Sequence, residues 1–221
     1  MRDDLAEIVV ILDRSGSMSA IREDTIGSFN TFLEDQKKEP GFANFTLVQF
    51  DDKYEVVHNG KAIQEVPALT TETFVPRGST ALLDAIGRTI NEVGARLAGM
   101  DDADRPGKVI FSILTDGQEN SSQEFTRSKV FEMITHQRET YNWEFIFLSA
   151  DENGIKDATS IGINAANVAI YAHNPHGIRA ANFAVSHAVA SYRTTGDTGD
   201  AMSNYVQQGL DSDNSSDNNV N

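Results

Sequence analysis

The sequence predicts an α/β fold, doubly wound around a mostly parallel six-stranded sheet, with one antiparallel edge strand and helices on both faces. Three observations carry this. Apolar runs such as Ile8-Val9-Val10-Ile11-Leu12 and Val109-Ile110-Phe111 have the composition of strands buried on both faces. Segments with helical spacing of apolar residues alternate with them, which implies parallel strands covered by helices. One pair of extended segments is joined only by Asp51-Asp52-Lys53, a hairpin that places one antiparallel strand at an edge.

Ala6 to Asp13 reads as the first strand, followed by a helix from about Ser19 to Lys38 that Pro40-Gly41 ends. Phe42 to Phe50 and Tyr54 to Val66 form the strand pair, with Asn59-Gly60 marking a bulge or turn in the second. Pro67 to Ser79 is a threonine-rich loop. Leu82, Ile86, Ile90, Val93 and Leu97 give the next helix its period, from Thr80 to about Met100. Asp101 to Gly107 is a charged turn, and Lys108 to Thr115 the next buried strand. Ser121-Ser122-Gln123-Glu124 contains a capping-box pattern and predicts a helix from there to about Thr140. Trp143 to Ser149 is strand, Asp151 to Gly162 a short helix and Ala165 to Tyr171 a last strand. Asn174-Pro175 supplies a cap and a first-turn proline for a helix reaching about Tyr192.

The 221 residues suffice for one well-buried domain, expected over residues 1–193. Residues 194–221 form an acidic Gly/Ser/Asn/Asp-rich tail without Lys or Arg. A brief helical turn is expected in Met202 to Leu210, and disorder from Asp211 to Asn221. The net charge of −15 argues against nucleic acid, whose phosphates need clustered Lys and Arg, and against anionic membranes. The absence of cysteine excludes disulfides, thiolate metal sites and a cysteine nucleophile. No run approaches the ~20 apolar residues of a membrane span, and no secretion signal is visible. The expectation is a cytoplasmic protein, bacterial or encoded by a bacterial virus. No internal repeat is present.

The most informative segment is Asp13-Arg14-Ser15-Gly16-Ser17, directly after the first apolar run. It delivers one carboxylate and two hydroxyls at alternate positions. Oxygen donors without sulfur or imidazole suit a hard cation such as Mg²⁺. Gly78-Ser79-Thr80-Ala81-Leu82 and Leu114-Thr115-Asp116-Gly117 place further oxygens at junctions before helices. Asp13 and Asp116 both fall at carboxyl ends of strands, where open α/β sheets bind ligands. Taken singly, Ser17, Thr80 and Asp116 also suit helix caps or turns. His173-Asn174-Pro175-His176 reads as a capped helix start rather than a ligand pair. His58, His136 and His187 stand isolated. Asp51-Asp52 reads as a solvated turn, Trp143 as packing at the sheet end, and Arg14 and Arg77 as charges flanking the site, open to a partner or simply exposed.

These three segments resemble the metal-ion-dependent adhesion site of von Willebrand factor A domains. The Rossmann-like element order agrees with that resemblance over about Leu5 to Tyr192. It implies a metal site of Asp13, Ser15, Ser17, Thr80 and Asp116. Ser15, Ser17 and Thr80 would ligate through hydroxyls, and the two aspartates would act chiefly behind them, on waters and ligating hydroxyls. Mg²⁺ is the default ion, with Mn²⁺ and Ca²⁺ as alternatives. One coordination position would then accept a Glu or Asp of a partner protein.

The leading expectation is a non-catalytic, metal-dependent protein-binding domain, an adaptor with loops at Met18-Ser19, Phe74 to Ser79 and Gln118 to Ser122 setting specificity. A structural component of a phage particle or a multi-subunit bacterial complex is the first alternative. A Mg²⁺-dependent phosphohydrolase ranks last, because Ser15 occupies the place of the second carboxylate in the Asp-x-Asp of such enzymes. Partner identity and oligomeric state have no signal in the sequence.

Overall fold

The computed structural model describes residues 1–199 and 202. In chain order the elements are β1 (Arg2–Asp13), α1 (Arg22–Lys38), β2 (Phe42–Phe50), β3 (Tyr54–Ala62), α2 (Leu82–Ala98), β4 (Pro106–Thr115), α3 (Arg127–Tyr141), β5 (Glu144–Ser149), α4 (Gly154–Ser160), β6 (Val168–Ile170) and α5 (Pro175–Thr195). The six strands lie in one sheet in the order β3-β2-β1-β4-β5-β6. Every pairing is parallel except that of β3 with β2. The predicted fold class is therefore the observed one.

The alternation of side chains along β1 divides the core in two. Ile8, Val10 and Leu12 pack with Phe29, Phe32 and Leu33 of α1 and with Ile178, Ala181 and Val185 of α5. Val9 and Ile11 face the other way, toward Ile86, Ile90 and Val93 of α2 and Val130 and Ile134 of α3. Trp143 stacks on Phe111 at 5.4 Å between centroids, packed as the sequence reading expects. Among the described residues no helix is long and apolar enough to cross a membrane.

One charge is built into this framework. Glu7 of β1 has no exposed surface. Arg96 of α2 reaches it with a fork, Nη2 to Oε1 at 2.6 Å and Nη1 to Oε2 at 3.2 Å, and Thr46 Oγ1 donates to Oε1 at 2.7 Å. The path for Arg96 is opened by Gly60, at φ +64°, where a Cβ would lie 2.5 Å from Arg96 Nη1. Gly60 lies in the expected bulge of the second hairpin strand: pairing steps from Phe45–Lys61 to Leu47–His58, leaving an extra residue on β3.

Several boundaries differ from the sequence expectation, each for a local reason. The first helix is preceded by a 3₁₀ segment, Gly16–Ile21, which buries Met18 and Ile21. Strand β3 ends at Ala62, and Ile63–Glu65 turns as a 3₁₀ helix. The capping box at Ser121 to Glu124 starts no helix. The main-chain N–H groups of Gln123, Glu124 and Phe125 donate instead to the Asp84 carboxylate at 2.8–2.9 Å, and those of Ser121 and Ser122 to Glu119. Helix α3 begins at Arg127, capped by Thr126 Oγ1, which accepts from the Lys129 N–H. At the other end of the chain, α5 runs to Thr195 and closes at Gly196. Thr198 is buried and donates to Asn167 Oδ1 at 2.8 Å, and Met202 is buried in the core shared by α1 and α5. The rest of the expected tail, including nearly all of the turn at Met202 to Leu210 and the segment Asp211 to Asn221, lies outside the described residues.

Candidate metal centre

The site sits where the chain reverses its progress across the sheet. β1 is central, β2 lies on one side of it and β4 on the other. The loops leaving β1 and β4 diverge to opposite faces there, which opens a crevice at the carboxyl ends of the strands.

Asp13 is the last residue of β1 and is fully buried. Its Oδ1 accepts from the Ser15 N–H at 2.6 Å, and its Oδ2 accepts from Thr115 Oγ1 at 2.6 Å. Burial pushes its carboxyl up to about 6, against the pull of those hydrogen bonds, and the neighbouring Asp116 charge adds to the rise. Ser15 Oγ and Ser17 Oγ lie 3.1 Å apart. Ser17 Oγ donates to Asp116 Oδ1 at 2.7 Å, across 99 residues of sequence. Behind these groups, the buried Tyr171 hydroxyl donates to the Thr115 carbonyl at 3.2 Å. Its pKa lies well above the ordinary phenol value through burial and the charges of Asp116 and Asp13.

Thr80 arrives from the loop before α2. A Cβ added at Gly117 would lie 3.8 Å from both Ser17 Oγ and Thr80 Oγ1, so the two hydroxyls border one small space that a side chain would fill. Two sets of contacts fix the loop. Asn120 Oδ1 accepts from the Thr80 N–H at 2.9 Å, while the Asn120 N–H donates to the Thr80 carbonyl at 3.1 Å. The Gly16 N–H donates to the Gly78 carbonyl at 3.1 Å, and the Arg77 N–H to the Arg14 carbonyl at 2.8 Å. Gly78 adopts φ +68°, and a Cβ there would overlap Asp52 Oδ1, so the close approach requires glycine.

The structure thus brings Asp13, Ser15, Ser17, Thr80 and Asp116 to one place. The roles foreseen for Arg14 and Asp51 need correction, whereas the Arg77 side chain is half exposed as expected. Arg14 is buried and turns away from the site, with Nε on Asp51 Oδ2 at 3.0 Å and Nη1 on Glu55 Oε2 at 2.6 Å. Asp51 is not a solvated turn residue: its side chain has no exposed surface and also receives Arg77 Nε at 2.8 Å. Burial raises the Asp51 carboxyl, but Arg77, the Lys53 N–H and Arg14 outweigh it and hold it below the ordinary range. Asp51 therefore ties the Ser15 loop to the Thr80 loop.

Four further groups escaped the sequence reading. Asn120, Glu119 and Asp84 act on backbone groups 36–41 residues distant, and such contacts leave no periodic trace. His173 is the most consequential. Asn174 caps α5 as expected, accepting from the Gly177 N–H at 2.8 Å. The residue before it, however, sets Nε2 3.0 Å from Asp116 Oδ2. His173 thus joins the hydrogen bonds around Asp116, whose other oxygen accepts from Ser17.

The donor chemistry fits a small hard cation. An octahedral shell with ligands at about 2.0–2.1 Å has edges of about 3 Å, close to the Ser15–Ser17 separation of 3.1 Å. Among the described residues no group of three or more His, Cys, Asp and Glu side chains is placed to hold a metal, so an ion here depends on the hydroxyls.

No family model matches the sequence, and neither does any curated protein. Solved structures do match. Proximal thread matrix protein 1 of the mussel byssus superposes with a TM-score of 0.58 at 14% identity, over 83% of this chain and 47% of that one. Another of its structures has zinc in the metal-ion-dependent adhesion site. A von Willebrand factor type A protein from Catenulispora acidiphila matches with a TM-score of 0.53 at 16% identity, over 82% of this chain and 41% of that one. Manganese-loaded TRAP of Plasmodium vivax gives 0.55 at 12%, over 78% and 70%. The chain spans less than half the length of the mussel and Catenulispora structures. Strand order, the single antiparallel edge and these superpositions together establish that the chain has the von Willebrand factor A fold.

Proposed function

We propose that the chain is a non-catalytic protein-binding domain that holds a divalent cation, Mg²⁺ by default, and uses it to capture an acidic side chain of a partner. Ser15, Ser17 and Thr80 supply ligating oxygens. The observation that carries this reading is the hydrogen bond from Ser17 to Asp116 beside Ser15 and Thr80. A hydroxyl ligates through its lone pairs, so its proton must go elsewhere, and Asp116 Oδ1 takes the proton of Ser17. Asp13 holds the Ser15 main chain and Thr115, fixing the loop rather than crowding the ion. Mg²⁺ keeps several waters in such sites, and one of them is exchangeable for a carboxylate.

Zinc and manganese in the mussel and Plasmodium proteins support a divalent ion. A pilus adhesin of Lactobacillus rhamnosus, similar in fold at a TM-score of 0.58, supports a binding rather than a catalytic role. The cytoplasmic setting rests on the sequence expectation alone.

Capture from native lysate tests the proposal. Wild-type protein retains a partner in Mg²⁺ and releases it in EDTA, and Asp116→Ala retains none. Retention that persists in EDTA overturns it. Asn120→Ala gives a graded companion result. It removes the acceptor for the Thr80 N–H, worth about 1 kcal/mol, and weakens Mn²⁺ binding about fivefold in isothermal titration with the fold intact.

A further inference from the structure

We propose that Asp51 is a positioning residue of the centre: it supplies no ligand, but it fixes the spacing of two ligand-bearing loops and so sets the affinity for the cation. The inference rests on the cation-binding reading above and names what holds that site ready. The Asp51 side chain has no exposed surface, and its Oδ2 receives Arg14 Nε at 3.0 Å and Arg77 Nε at 2.8 Å. Arg14 immediately precedes Ser15, and Arg77 stands three residues before Thr80. The main chain of the same residue closes the second loop from its far side, where the Asp51 carbonyl accepts from the Ala81 N–H at 3.1 Å. Asp51 thus holds the Ser15 loop through Arg14 and brackets Thr80 through Arg77 and Ala81.

Each part of this clamp is held independently. Asp51 Oδ1 accepts from the Lys53 N–H at 2.6 Å, which orients the carboxylate. Arg14 is buried, and its Nη1 lies 2.6 Å from Glu55 Oε2. The two loops also meet through their main chains, Arg77 N–H to the Arg14 carbonyl and Gly16 N–H to the Gly78 carbonyl. Drawing the Ser15 loop away from the Thr80 loop would separate a buried guanidinium from its carboxylate, which is strongly unfavourable. A small hard cation demands a near-octahedral shell. Loops already held at the required spacing lose little freedom when the ion arrives, so binding is tighter than to loops that must first be ordered.

Titration of the full chain with Mn²⁺, followed by electron paramagnetic resonance of the free ion, tests the proposal. Asp51→Asn would leave two guanidinium groups short of an anion and lose stability as well as affinity, so the decisive variants are at Arg77, whose side chain is 50% exposed. Arg77→Met removes one arm of the clamp and leaves Asp51 paired with Arg14. It is expected to weaken Mn²⁺ binding about tenfold. Arg77→Lys restores the affinity to within about threefold of wild type, because Asp51 accepts from Nε alone, a single donor that an ammonium replaces. In a Thr80→Ala background the second loop no longer carries its ligand, and Arg77→Met then weakens Mn²⁺ by less than about twofold further. A residue that only stabilises the fold gives another pattern, the same loss of affinity with or without Thr80. That pattern, wild-type affinity in Arg77→Met, or failure of lysine to rescue overturns this inference alone. A wild-type protein that binds no Mn²⁺ overturns the cation reading and this inference with it.

Discussion

Asp13→Asn is expected to weaken divalent-cation binding about 10–100-fold while making the metal-free protein more stable. The two effects have one cause. Asp13 is a carboxylate with no exposed surface and no cationic side chain among its hydrogen-bond partners, which are the Ser15 N–H and Thr115 Oγ1. Its carboxyl rises from 3.8 to about 6 on folding, chiefly through burial. Between those values the native protein binds a proton that the unfolded chain releases. Stability in the absence of metal is therefore complete below about pH 4, falls as pH rises through about 6, and stays reduced above it. The loss amounts to up to about 3 kcal/mol. Asparagine removes the charge and keeps the geometry. Its Oδ1 accepts from Ser15, and its amide donates to Thr115 Oγ1, whose own proton turns to the Gly117 carbonyl 3.1 Å away. In EDTA at pH 7.5 the variant melts several degrees above wild type, and the pH 4–6 slope flattens. A variant that melts lower while binding Mn²⁺ normally would contradict the role given to Asp13.

Arg96→Met is expected to cost about 3–5 kcal/mol, far from the metal centre. Arg96 is the only side-chain cation bonded to Glu7 among the described residues, and Glu7 has no exposed surface in a central strand. Methionine has similar length but leaves the carboxylate uncompensated. Glu7→Gln in the same background recovers most of the loss, because glutamine is neutral and still accepts from Thr46 Oγ1, now 2.7 Å from Glu7 Oε1. Urea unfolding of the two single variants and the double variant measures this coupling. A single-variant loss below about 1 kcal/mol, or simple additivity of the two changes, contradicts it.

The framework was legible because its signals are local. The Ile8–Leu12 run, the helical spacing of five apolar residues from Leu82 to Leu97 and the short link at Asp51–Lys53 each dictate one element, and the strand–helix alternation dictates the parallel order. The five oxygen-bearing residues were legible for a related reason: each stands at a strand end or before a helix, where the fold class already places a crevice. What stayed hidden is side-chain chemistry acting at a distance. Ser121 and Glu124 satisfy the pattern of a capping box, yet the backbone donors of that segment are taken by Asp84 and Glu119, so the helix starts at Arg127. Asp51 reads as one of two turn aspartates, and only the folded chain reveals that it collects Arg14 and Arg77. His173 reads as the residue before a helix cap. Its proximity to Asp116 depends on how the turn after β6 closes, which no spacing encodes.

The central claim is that hydroxyls and carboxylates from three loops converge on one divalent cation. Crystals of the full chain grown with Mn²⁺, with data collected near the manganese absorption edge, test it most directly. The account predicts a single strong anomalous peak bonded to Ser15, Ser17 and Thr80, with Asp13 and Asp116 behind them. A peak at a different cluster of side chains, or no ordered ion at millimolar Mn²⁺ in crystals that reproduce the fold, would contradict it.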